Sequence, residues 1–151
     1  MNKLLFIYLF ISNGVKTMAF MTWTDRYSIG VEEVDKQHQH LFKLLNRMYD
    51  SVVTGAEQSI LNEVLTELID YTVYHFSCEE RLFKEHDYPG YDIQKKQHDV
   101  LTKQVFELQT EFREGSATIS HEVLNFLNDW LVHHIVGSDL KFAKYLNSKK
   151  Y

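Results

Sequence analysis

Tyr74-His75-Phe76-Ser77-Cys78-Glu79-Glu80 places an imidazole and a carboxylate four residues apart. In an α-helix that separation sets His75 and Glu79 on one face, about 6 Å apart along the axis. Leu61, Val64, Leu68 and Tyr71 lead into the same stripe and Leu82 continues it, so the two polar groups lie among apolar neighbours. A face of that composition is made to be buried against other helices. Buried there, an imidazole and a carboxylate need partners.

The flanking sequence supplies three more helices. Upstream, Val34, His38, Leu41, Leu45, Met48 and Val52 alternate by four and three, predicting a helix from about Glu33 to Thr54 that Gly55 ends. The central helix begins near Glu57 and stops before Asp87-Tyr88-Pro89-Gly90, a turn signal. A third, from about Tyr91 to Glu114, carries Gln94, His98, Leu101, Val105, Leu108 and Phe112 at the same spacing. Gly115-Ser116 closes it, Ser120 is the candidate N-cap of a fourth, and Val123, Leu127, Trp130 and His134 face inward there. The expected architecture is all-α: an antiparallel up-down-up-down four-helix bundle. Thr22 to Val31 has aromatics without helical period, as expected of an ordered N-terminal arm lying across the bundle.

A chain of 151 residues makes one domain, long enough to bury roughly 70% of its unfolded surface. Sixteen Lys and Arg against 21 Asp and Glu, net charge -5, argue against a nucleic-acid partner. Cys78, the single cysteine, excludes an intramolecular disulfide and reads as plain core. Leu4 to Ile11 is apolar behind Lys3, but it is too short to span a bilayer and no small-x-small cleavage site follows. Residues 1–20 are therefore expected to be an extension outside the fold, 21–151 the bundle, and the location cytoplasmic, with no membrane partner.

Eight histidines are many for this length. His38, His75, His98 and His134 each fall on the inward face of a different helix. Burying four imidazoles without a shared partner costs about 1 to 3 kcal/mol for each group left unpaired, and a metal removes that cost. His40, His86, His121 and His133 fall off the stripes and are assigned to surface or rim. Asp139, five residues after His134, lies roughly 140° off its face in a regular helix; a π-type turn at Gly137-Ser138 would bring it inward. Imidazoles with carboxylates suit iron, zinc or manganese. Ligand counting leaves one ion or two open.

Asp35-Lys36-Gln37-His38 followed by Leu41-Phe42, then His75-x-x-x-Glu79, then His98 followed by Leu101, then Trp130-x-x-x-His134-Ile135 and His134-x-x-x-x-Asp139 together resemble the motifs of the hemerythrin family, in particular its bacterial single-domain members. The arm from Trp23 to Gly30 and the turn Tyr88-Pro89-Gly90-Tyr91 fit the same pattern. The resemblance runs from about Met21 to the C-terminus. It implies two non-haem iron ions in the bundle core and dioxygen as the partner, with Glu79 and Asp139 bridging the ions. It further implies that His38 and His75 serve the iron that takes oxygen, that His98 and His134 serve the other, and that Phe76, Trp130, Leu131 and Ile135 wall the oxygen pocket.

One departure matters. The family's third helix carries His-x-x-x-His, and the first of those positions here is Gln94, leaving a neutral amide oxygen or a water as substitute for an imidazole. Three functions compete on this reading: an oxygen-binding protein for storage, delivery or sensing; a di-iron oxidoreductase acting on oxygen, peroxide or nitric oxide; and a metal-stabilised structural bundle.

Overall fold

The computed structural model describes residues 20–150; the Leu4 to Ile11 run and the expected N-terminal extension lie almost wholly outside them. Five α-helical stretches follow a short 3-10 turn at Asp25–Tyr27: α1 Glu32–Val53, α2 Gln58–Glu85, α3 Tyr91–Glu114, α4 His121–His133 and α5 Leu140–Ser148. A π-helical turn, His134–Asp139, joins α4 to α5, so the two form one long fourth helix. Short connections make successive helices antiparallel, the expected four-helix bundle. Among the described residues there is no strand, and no helix is long and apolar enough to cross a membrane.

Local chemistry sets the helix ends. Asp35 in the first turn of α1 accepts from the backbone N–H groups of Ile29 and Gly30, at 2.8 and 3.2 Å, and from the Ser28 hydroxyl at 2.6 Å. Those bonds tie the arm to the bundle, and Trp23 and Tyr27 pack edge-on against Phe42. Ser120 caps α4 by accepting from the Val123 N–H at 3.2 Å. Gly115 ends α3 at φ 79°, a left-handed conformation that costs other residues about 1 kcal/mol or more. Gly90 is needed for a different reason: a Cβ there would meet the Tyr88 ring at 2.6 Å. The Tyr145 hydroxyl binds the carbonyls of His86 and Asp87, docking α5 on the α2–α3 turn.

The core holds Val34, Leu41, Leu45 and Met48 of α1, Val64, Leu65, Leu68 and Ile69 of α2, Leu101, Val105 and Phe112 of α3, and Leu124, Leu127 and Leu131 of α4. Val52, Leu61, Tyr71, Leu82, Leu108, Val123 and Trp130, read as inward, are only partly buried. A straight helix drifts about 20° per heptad from a fixed four-three alternation, so stripe members slide to its edges. Cys78 is likewise half-buried rather than core, because one step from Glu79 turns it about 100° toward the outer face.

Candidate metal centre

Each helix brings a histidine to one level of the core. His38 on α1, His75 on α2, His98 on α3 and His134 at the start of the π turn are 0 to 4% exposed, and Glu79 and Asp139 are each 1% exposed. The π turn explains Asp139: its hydrogen bonds run from residue i to i+5, which returns Asp139 to the side of His134 from which a regular helix would rotate it away. Nε2 of His134 and Oδ1 of Asp139 are 3.2 Å apart.

The carboxylates divide their oxygens between two imidazole pairs. Glu79 Oε1 lies 2.9 Å from His75 Nε2 and 3.3 Å from His38 Nε2, while its Oε2 lies 3.1 Å from His98 Nε2 and 3.5 Å from His134 Nε2. Asp139 repeats the division, with Oδ2 at 3.0 Å from His38 Nε2 and Oδ1 turned to His134. Two donor groups result: His38, His75, Glu79 and Asp139 in one, Glu79, His98 and His134 in the other.

This arrangement fits a cation. Nε2 of His75, Oε2 of Glu79 and both oxygens of Asp139 are buried with no well-directed hydrogen bond, although imidazole or carboxylate atoms lie 2.9 to 3.5 Å from each, the crowding expected of donors that share a positive charge. His98 Nε2 and His134 Nε2 face each other at 3.0 Å, an approach that requires a proton or a cation shared between them. Electrostatics agree. Burial pulls the His38 imidazole down, but Asp139 and Glu79 outweigh it and hold it up at about 9. The same opposition holds His134 up at about 10. Burial would raise the Glu79 carboxyl, yet His75, His134 and His38 around it keep it well below the ordinary carboxylate range. The two carboxylates make this layer a trap for cations.

Gln94 is 3% exposed one turn before His98, and both of its amide atoms lack partners. Phe76 stacks on the His98 ring, centroids 3.9 Å apart, and Trp130 stacks on His134 at 4.5 Å. Beside them is an apolar cavity of about 40 Å³, to whose wall Leu68, Phe76, Leu101, Trp130 and Leu131 contribute. Ile135 is fully buried but does not line it. Of the remaining histidines, His86 and His133 are exposed, and His40 and His121 are partly buried, His40 against the Tyr71 ring. Two contacts were not foreseen: Gln37 on His75 Nδ1 at 2.7 Å and Glu80 on His98 Nδ1 at 3.0 Å. Each adjoins a site residue in sequence, which was the only signal available.

Fold and site together define a four-helix bundle with a buried histidine–carboxylate centre for cations. The model of the hemerythrin HHE cation binding domain matches residues 29–146. Bacteriohemerythrin from Stenotrophomonas maltophilia is 36% identical over 83% of this chain and 81% of its own length. Bacteriohemerythrin from Methylococcus capsulatus is 34% identical over 87% of this chain and all of its own. A crystal structure of wild-type hemerythrin superimposes with TM-score 0.80 at 34% identity, covering 83% of this chain and 97% of that one. The chain belongs to the hemerythrin family, and its buried layer is a non-haem metal site.

Proposed function

We propose that this protein binds dioxygen reversibly at a non-haem di-iron centre. The division of each carboxylate's oxygens between two imidazole pairs is the observation that carries the reading, since one ion would not need it. His38 and His75 would hold one iron and His98 and His134 the other, with Glu79 and Asp139 shared and Gln94 a weak amide donor at the second. Two ferrous ions in such a centre supply the electrons for reversible oxygen binding.

The protein's own part is to orient these donors and keep water away. Phe76 and Trp130 lock the His98 and His134 rings by stacking. The cavity they border, with Leu131, is apolar; apolar cavities stay dry and admit small apolar ligands. Four imidazoles, neutral once a metal displaces their protons, and only two carboxylates would stabilise ferric charge less than a carboxylate-rich site does, which favours release over turnover.

Gln94 favours a second reading, a di-iron oxidoreductase consuming oxygen, peroxide or nitric oxide, because a weak donor leaves one iron more open. Optical spectra of iron-loaded protein under cycles of oxygen and argon distinguish the two. A spectrum that appears and disappears reversibly supports binding; irreversible conversion on the first exposure supports turnover.

A further inference from the structure

Behind the four imidazoles the two halves of the layer differ. His75 Nδ1 meets a neutral amide, Gln37 Oε1, at 2.7 Å, whereas His98 Nδ1 meets a carboxylate, Glu80 Oε1, at 3.0 Å. A carboxylate only accepts, so the His98 Nδ1–H donates to Glu80 and its Nε2 keeps a lone pair toward Glu79 and His134. Glu80 is held at the edge of the core, its side chain 18% exposed, close enough to polarise the ring. Carboxylates in that position fix ring tautomer and orientation and raise the basicity of the ligating nitrogen. The half backed by this extra negative charge is also the half in which Gln94, buried and with neither amide atom partnered, stands one turn before His98.

We propose that Glu80 is the positioning residue of the His98–His134 half, fixing the His98 tautomer and supplying the negative charge that offsets the weak amide donor at Gln94. The proposal rests on the di-iron reading. It makes the two irons unequal in a defined way: retention of the second depends on Glu80, while the first is backed by the Gln37 amide.

The test uses full-length protein reconstituted with ferrous iron, as wild type, Glu80→Gln, Glu80→Asp and the double variant Glu80→Gln/Gln94→His. Iron per chain, the rate of iron loss to excess ferrous chelator, Mössbauer spectra and thermal melts of the metal-free proteins are measured. In Glu80→Gln one of the two irons should leave about tenfold faster, the lower end of what such partners contribute, with one of two Mössbauer signals altered. Glu80→Asp should restore most of the retention, and Gln94→His should suppress most of the Glu80→Gln defect. A Glu80→Gln protein that releases both irons at the wild-type rate overturns the role of Glu80. So does equal acceleration for both irons accompanied by a lowered metal-free melt, or a defect that Gln94→His leaves untouched. Fewer than two irons per reconstituted wild-type chain overturns the di-iron reading, and this proposal with it.

Discussion

Two levels of the same core are built on different physics. His38, His75 and His134 lie at one level; ten residues along their helices, Met48, Leu65 and Leu124 lie at another, about 15 Å away. All six are 4% exposed or less. The apolar level is held by area removed from water, a sum of many independent increments. The polar level is held by shared oxygens: Glu79 alone approaches four imidazoles. Loss of one apolar member should therefore weaken the fold by degrees, whereas loss of one shared carboxylate should empty the metal layer.

The sharpest way to break this contrast is Glu79→Ala. Metal analysis after reconstitution should show nearly all iron lost, against full loading in His40→Ala and His133→Ala, whose rings lie outside the layer. Equal iron in all three proteins would erase the distinction between layer and rim. The next largest effect belongs to the apolar level. Leu124→Ala and Leu65→Ala should each lower the stability of metal-free protein by about 2 to 5 kcal/mol in urea unfolding while iron per chain stays at the wild-type value. Iron loss in step with stability would show that the two levels are one cooperative structure.

Periodicity made the apolar level and most of the polar one readable from sequence. Spacing of four and three put His38, His75, Glu79, Gln94 and His98 on inward faces, and the α3 limits Tyr91 and Glu114 match the structure. Asp139 resisted that logic, since a regular helix turns it away from His134; only the pairing of Gly137 with Ser138 hinted at the π turn that the structure contains. Continuation of the fourth helix to Ser148 was not foreseen. Gln37 and Glu80 were missed for a geometric reason. Each sits one residue from a stripe member, about 100° round the helix, where a polar residue ordinarily meets solvent, and only the neighbouring helix shows that an imidazole nitrogen lies within reach.

A smaller effect checks whether the helix ends contribute independently of both levels. Ser120→Ala removes the acceptor for the Val123 N–H and should cost about 1 kcal/mol in urea unfolding, with iron per chain unchanged. A larger loss accompanied by lower iron loading would mean that the start of α4 sets the register of the π turn 14 residues later.

The smallest expected effect is at Gln94, and its size follows from Glu80. Restoring an imidazole by Gln94→His adds a stronger nitrogen donor where a buried amide now lacks partners, and the side chains are close in volume, so little repacking is required. In isolation such a donor would be expected to slow iron loss greatly. Here the same half of the layer already receives negative charge through His98 from Glu80, at 3.0 Å, so the added donor meets a partly compensated ion. Gln94→His should therefore slow iron release to a chelator, and oxidation of the diferrous protein in air, by only a few-fold, under about 1 kcal/mol. With Glu80→Gln present the same substitution should matter more, because the compensation is gone. If Gln94→His changes neither rate in either background, the amide serves as well as an imidazole, and the two halves of the layer are equivalent despite their different residues.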